Sequence, residues 1–267
     1  MSENQSAGLL AVDIGNTNIH LGLWRHGTWQ PFWRARTVVD KMPDEYGVLV
    51  RNFLDSAELD YKAITGIVIS SVVPPLTAAF TELAERYVHM EPLMVNSRVD
   101  MGMPVQIDYP EQAGADRLAN AAAVVGLYGG GPAIVVDFGT ATNFDVISAD
   151  NAYIGGAIAP GMNLAHDALV SRAARLHKID LVPPPDAIGR NTIHAMQSGI
   201  FWGYVSLIEG LITRIKTSLG APNANVIATG GLASLVNDHT DMINQIVPTL
   251  TLDGLRVIYE RNRSQRG

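Results

Sequence analysis

The sequence predicts a duplicated α/β fold, and three observations predict it. A short apolar run ending in Asp, followed by a Gly turn and a Thr, occurs twice: Leu9 to Asp13 leads into Asp13-Ile14-Gly15-Asn16-Thr17, and Ala133 to Val136 leads into Asp137-Phe138-Gly139-Thr140. Each copy is followed by further short apolar runs and then by helical segments, a long-period repeat that governs the fold expectation. The chain has 267 residues, 47% hydrophobic and 17% charged, enough for a sizeable core in two ordinary lobes and against wholesale disorder. The expected lobes are residues 1–115 and 116–267, with a cleft between them as the favoured ligand site.

The elements read in order as follows. Leu9 to Asp13, Ile19 to Trp24 and Thr28 to Arg36 are apolar runs bounded by Gly and Asn, the pattern of strands joined by tight turns. Pro43 to Leu59 has helical spacing at Tyr46, Val50, Phe53 and Leu54. Ile67 to Val73 is a β-branched strand stopped by Pro74-Pro75, which suit the entrance of a helix over Leu76 to Tyr87. Leu93 to Val95 is a strand, and the Ala-rich segment Asp116 to Tyr128 is a helix broken by Gly129-Gly130-Gly131-Pro132. The second copy predicts strands at Ala133 to Val136, Phe144 to Ile147 and Tyr153 to Ile158, helices at Gly161 to Leu176 and Thr192 to Leu219, and a strand at Val226 to Ala228. Two short helices close the chain, the last over Leu252 to Glu260.

Composition excludes several function classes. There are no cysteines, so disulfides, thiolate nucleophiles and Cys-ligated metals are ruled out. The net charge is −7, and no Lys/Arg run precedes the short tail Arg261, Arg263, Arg266, which is expected to fray in solvent; no nucleic-acid partner is expected. The polar start MSENQSAG does not read as a secretory signal, and no apolar run reaches the roughly 18 residues of a membrane helix. A cytoplasmic protein without a membrane partner is expected.

The repeated turn carries the chemistry. A Walker loop is absent, and none of Lys41, Lys62, Lys178 and Lys216 lies in a glycine loop. In Asp13-Ile14-Gly15-Asn16-Thr17-Asn18 the glycine permits positive φ and close backbone approach, so that backbone N–H groups and the Asn16 and Thr17 side chains can donate to phosphate oxygens. Asp13, at the strand end, suits Mg²⁺ held through its waters, because Mg²⁺ keeps several waters and takes few carboxylates. Asp137, Gly139, Thr140 and Thr142 repeat the pattern, and Thr229-Gly230-Gly231 is a third glycine turn after a strand. A lone Asp-x-Gly is an ordinary β-turn. Two matched copies, each directly after an apolar strand, point to ATP.

This pattern resembles the actin-like ATPase fold, a duplicated ribonuclease H-like α/β architecture shared by sugar kinases, acetate kinase and Hsp70-type chaperones. Within it, the segments DIGNTNIHLGLW (13–24), SSVVPPL (70–76), GADRLANA (114–121), VVDFGTATNFDVI (135–147), GGAIAPGM (155–162), GRNTIHAMQSGIFWG (189–203), ATGGLA (228–233) and LDGLRVIYERN (252–262), in this order, resemble the type III pantothenate kinases over nearly the whole chain. The resemblance implies ATP-dependent phosphorylation of pantothenate (EC 2.7.1.33), the first step toward coenzyme A, by a homodimer that requires K⁺ or NH₄⁺. It assigns Asp116 as catalytic base, and Gly114, Ala115, Asp116 and Arg117 as the pantothenate loop. Asp13, Ile14, Gly15, Asn16, Thr17, Asn18, Ile19 and His20 match the first phosphate loop, Thr140 an ATP contact, and Asp137 the monovalent-cation ligand. Thr192 matches a pantothenate contact donated by the partner subunit.

The residues give this a physical reading. A carboxylate placed on a primary alcohol accepts its proton and orients it, and phosphoryl transfer is mostly positioning plus electrostatics. The plainer job for Asp116 is helix N-cap, which leaves Arg117 unexplained; Arg117 suits bidentate binding of the pantothenate carboxylate. With few lysines near two aspartates, a K⁺ beside Asp137 would import positive charge alongside Mg²⁺. The chain departs from the family at three places. Tyr109 directly precedes Pro110, where the family has its Tyr a few residues earlier. Asn143 stands where Thr is usual, and Ala165 and His166 where small hydroxyl residues are frequent; His166 is expected either to modify the substrate pocket or to face solvent, the second being the plainer expectation. Gly199 and Gly203, one helical turn apart, are expected to allow close helix packing, and Trp24, Trp29, Trp33 and Trp202 to serve packing or an interface. The histidines show no metal spacing. The competing readings are a kinase of another small metabolite and a non-catalytic regulatory homologue; intact Asp13, Asp116, Arg117 and Asp137 argue against the second.

Overall fold

The computed structural model describes residues 8–30 and 32–263. Arg266 of the basic tail lies outside them. The chain divides into two compact units, residues 1–129 with 249–267, and residues 130–248.

The first unit is built on β1 (Leu9–Ile14), every residue of which is buried. It pairs antiparallel with β2 (Asn18–Arg25), which pairs antiparallel with β3 (Thr28–Trp29) and β4 (Trp33–Arg36). On its other side β1 is parallel to β5 (Gly66–Ser71), and β5 to β6 (Leu93–Met94). Strand side chains alternate between faces. Leu10, Val12, Ile14, Ile67 and Ile69 join a core with Tyr46, Val50 and Leu54 of α1 (Pro43–Ser56) and Leu76, Phe80 and Leu83 of α2 (Pro74–Leu83). The alternate residues of β1 and β5, among them Asp13, Val68 and Ser70, lie on the other face. There α3 (Ala115–Leu127) packs on β5, and the last helix (Leu250–Asn262) packs on α3, β1, β2 and β5.

The second unit repeats the plan. β7 (Ala133–Phe138), β8 (Ala141–Ile147) and β9 (Tyr153–Pro160) form an antiparallel meander; β10 (Asn225–Gly230) is parallel to β7, and β11 (Gln245–Ile246) to β10. Ile134, Val136 and Phe138 pack with Met162 of α4 (Met162–Arg172), with Phe201, Tyr204, Ile208 and Ile212 of α5 (Thr192–Ser218), and with Ala233 and Val236 of α6 (Ala233–Asn237). In each unit an antiparallel run, four strands in the first and three in the second, is followed by two parallel strands, with the first strand central. That is the duplicated α/β plan the repeat predicted, and the ribonuclease H-like fold the resemblance implied.

Several expectations need correction. The boundary at 115/116 does not fall between the compact units: α3 and the last helix both belong to the first. Gly254 lies so close to α3 that a Cβ there would stand 1.8 Å from the Ala119 carbonyl oxygen. Buried Asp253 locks this packing, accepting from Trp29 Nε1 at 2.8 Å, Tyr128 Oη at 2.9 Å and Thr249 Oγ1 at 2.9 Å. Arg261 does not fray. It pairs with Asp100 at 3.0 Å on a helix that runs to Asn262. The run Thr28 to Arg36 is two short strands rather than one.

The helix expected to reach Leu176 stops at Arg172. Beyond it the chain is held in an irregular path by side chains: Ile179 N–H donates to His166 Nε2 at 3.3 Å and Gln197 Nε2 donates to the Asp180 carbonyl at 3.0 Å. His166 is therefore buried, not turned to solvent. Gly199 and Gly203 allow no close packing among the described residues, since a Cβ on either would meet nothing within 4 Å. The tryptophans do pack: Trp24 lies under Arg256 at 4.3 Å, Trp33 stacks on Phe53, and Trp202 meets Phe201 and His239 edge to face.

Candidate active site

The first hairpin is set by its strands. Ile14 pairs with Ile19 across the turn, and both are fully buried; the Ile14 carbonyl accepts the Val72 N–H at 3.1 Å, and Ile19 pairs with Ala35 of β4. Asn16, Thr17 and Asn18 between them are exposed. Gly15 N–H donates to the Asn18 carbonyl at 3.0 Å and closes the turn. Gly15 does not take positive φ, and neither does Gly139. Room for the tight turn, not a left-handed backbone, is what these glycines supply. Thr37 anchors the turn from outside, its Oγ1 donating to the Gly15 carbonyl at 2.6 Å and its N–H to the Thr17 carbonyl at 2.9 Å. Asp13 is 9% exposed. It sits between His20 on β2, whose Nδ1 is 3.8 Å from Asp13 Oδ2, and Ser70 on β5.

Asp116 opens α3, but as its second residue. The N-cap is Gly114 and the first helical residue is Ala115, so the capping role does not fall to Asp116. Its Oδ1 accepts the Arg117 N–H at 2.9 Å. Burial pushes the Asp116 carboxyl above the ordinary carboxylate range, and the negative charge of Asp13 pushes it further in the same direction. A carboxylate destabilised in this way is a stronger base than a solvated one. The first unit thus brings Asp13 and the Gly114–Arg117 loop together. Tyr109 stands just before the short turn Pro110–Gln112 and is 60% exposed.

The second hairpin has different surroundings. Asp137 is half-buried at the end of β7, with Asn143 opposite on β8 and Thr229 beside it on β10. Gly139 N–H closes the turn on the Ala141 carbonyl at 3.1 Å, and Thr140 is exposed at its tip. Thr142, by contrast, is buried and hydrogen-bonded to Tyr204 Oη at 2.5 Å, so its hydroxyl belongs to the core rather than to a ligand. Gly161 holds this hairpin from below, donating its N–H to the Thr140 carbonyl at 3.2 Å; a Cβ there would stand 2.4 Å from that oxygen. The Thr229-Gly230-Gly231 turn also packs on the strand end, with Gly231 N–H on the Phe138 carbonyl at 3.2 Å.

Thr192 is the exposed first residue of α5, capped by Asn191, whose side chain accepts the His194 N–H at 2.9 Å. Gly189 to Thr192 line an open groove of about 610 Å³ with Leu169, Leu176 and Met196. No group of three or more His, Asp or Glu suited to hold a metal occurs among the described residues. Sequence reasoning missed Thr37 and Gly161, which hold the hairpins, and assigned no role to Ser70. For Thr37 the only local signal is a hydroxyl just beyond a strand; for Gly161 it is a Gly before a helix.

A duplicated sheet with an Asp-Gly-Thr hairpin after the first strand of each copy, and a base-strengthened carboxylate beside one of them, places the chain in the actin-like ATPase class. The model of the type III pantothenate kinase family matches residues 9–214, and the chain belongs to that family. Type III pantothenate kinases of Roseiflexus sp. (strain RS-1) and Thermomicrobium roseum are 50% and 51% identical to it, over 96% and 97% of this chain and 100% and 99% of theirs. A solved structure of a conserved Baf family protein from Campylobacter jejuni shares the fold at a TM-score of 0.59 and 20% identity, covering 96% of this chain and 99% of that one.

Proposed function

We propose that the protein phosphorylates pantothenate with ATP, giving 4'-phosphopantothenate for coenzyme A synthesis. Full-length identity near 50% to type III pantothenate kinases supports the reaction. The observation that carries the mechanism is Asp116 in the first turn of α3, its carboxyl pushed upward by burial and by Asp13.

Asp116 accepts the proton of the pantothenate hydroxyl and aims its oxygen at the γ-phosphorus; the new P–O bond forms as the bond to ADP breaks. Arg117 takes the pantothenate carboxylate as a bidentate partner, and Tyr109, Gly114 and Ala115 complete the loop around it. Residues Asp13 to His20 and Thr140 form the ATP loops, with side chains of the exposed Asn16, Thr17 and Thr140 on the phosphates. Asp13, a buried carboxylate with a serine hydroxyl as its neighbour in the sheet, is an oxygen donor set that suits Mg²⁺. Asp137, with the neutral oxygens of Asn143 and Thr229 as its sheet neighbours, suits a monovalent cation, K⁺ or NH₄⁺. Bound cations offset charge on the phosphates.

The protein works as a homodimer in the cytoplasm. The bare face of α5 at Gly199, Gly203 and Gly210 and the exposed Ile154 and Ile158 of β9 support a second copy as the occupant. Thr192 then reaches the partner's pantothenate. No helix among the described residues is long and apolar enough to cross a membrane.

The test is pantothenate-dependent ADP release by wild type and by Asp116→Asn, each with and without K⁺. Turnover by the wild type that needs K⁺ and is lost in Asp116→Asn is expected. Full activity of Asp116→Asn removes the assigned base, and sugar turnover without pantothenate turnover removes the substrate.

A further inference from the structure

Two consecutive serines end β5 and have opposite fates. Ser71 Oγ is fully engaged: it accepts from Thr77 Oγ1 at 2.7 Å and from Val73 N–H at 3.2 Å. Ser70 has 0% of its surface exposed, yet its Oγ meets no hydrogen-bond partner among the described residues. A buried hydroxyl without a partner destabilises a fold, and such groups call for an explanation outside packing.

Its position supplies one. In the parallel pairing of β1 with β5, Ser70 stands directly beside Asp13, and paired residues point to the same face. That is the face on which α3 lies, and Asp116 of α3 feels the charge of Asp13. The unpartnered hydroxyl is therefore next to the carboxylate assigned to the divalent cation and on the side of the catalytic base. A Mg²⁺ held by few carboxylates keeps several waters, each with protons that need acceptors.

We propose that Ser70 is a binding residue of this site, its hydroxyl accepting a hydrogen bond from a water of the divalent cation held at Asp13. The assignment rests on the cation reading of Asp13. It predicts that the hydroxyl serves binding at the expense of stability, the reverse of a structural serine.

Ser70→Ala separates the two. The measurements are Mn²⁺ uptake in the presence of ADP, followed by the electron paramagnetic resonance of free Mn²⁺, and the Tm of the ligand-free protein. We expect Mn²⁺ affinity to fall about tenfold, as for loss of an outer-shell partner, with Tm unchanged or higher. Affinity within twofold of wild type overturns the assignment, and so does a loss of affinity that comes with a lower Tm, which would make the hydroxyl a structural bond. The readout needs no turnover. A wild type that takes up Mn²⁺ with ADP but does not phosphorylate pantothenate would overturn the proposed reaction and leave Ser70 decided by its own result; a wild type that takes up none overturns both.

Discussion

The hairpin at Asp13 and the hairpin at Asp137 each follow the central strand of a sheet, the first closed by Gly15 N–H on the Asn18 carbonyl and the second, one residue shorter, by Gly139 N–H on the Ala141 carbonyl, and their carboxylates live in different company. Asp13 is buried, flanked by Ser70 and His20, and close enough to Asp116 to raise its affinity for a proton. Asp137 is half-buried, flanked by Thr229 and Asn143. Duplication supplied one backbone device twice, and the neighbouring side chains divide the labour: on the proposed reading the first hairpin works with the base and a divalent cation, the second with a monovalent one.

Removing the proposed base should have the largest effect. Asp116→Asn is expected to lower kcat/KM by about 10²–10⁴-fold, the usual contribution of a general base. Stability should move the other way. The Asp116 carboxyl is raised in the folded state, so the folded protein binds the proton more tightly than the unfolded chain, and stability falls as pH rises from the ordinary carboxylate value through the folded one. At neutral pH the ionised group is a liability, and Asp116→Asn should melt at the same temperature as wild type or above it. A lower Tm would show that the carboxylate is held for structure.

The second prediction uses the coupling directly. Because Asp13 is the second cause of the raised value, Asp13→Asn should bring the Asp116 titration, followed by carbon NMR of the side chain, down toward the ordinary range without reaching it, as burial remains the larger cause. Asp137→Asn, in the other hairpin, should leave it in place. The third tests how the second hairpin is held. Gly161→Ala forces a Cβ against the Thr140 carbonyl. It should raise the KM for ATP several-fold while leaving the KM for pantothenate near wild type, because Thr140 and not the Gly114–Arg117 loop is displaced.

Much of this was legible in the chain. The repeated strand-turn pattern predicted both sheets, and hairpin positions followed from where apolar runs meet Asp and Gly. The return of the last helix to the first unit was not legible, because it depends on Gly254 meeting Ala119, a contact 135 positions apart in sequence (254 less 119) with no local signature. Thr142 looked like a ligand by its place in a Thr-Ala-Thr run, and only the packing of Tyr204 shows it turned inward. His166 was expected at the surface, and is buried because the chain after α4 folds back and donates to it. In each case the deciding partner is distant in sequence.

The difference between the hairpins is tested most directly by pantothenate phosphorylation measured as a two-way titration of Mg²⁺ and K⁺ for wild type, Asp13→Asn and Asp137→Asn. The account predicts a crossed result: Asp13→Asn raises the Mg²⁺ concentration for half-maximal rate about tenfold or more and leaves the K⁺ dependence unchanged, and Asp137→Asn does the reverse. Both variants shifting the same cation, or a wild type equally active in sodium-only buffer, would contradict it.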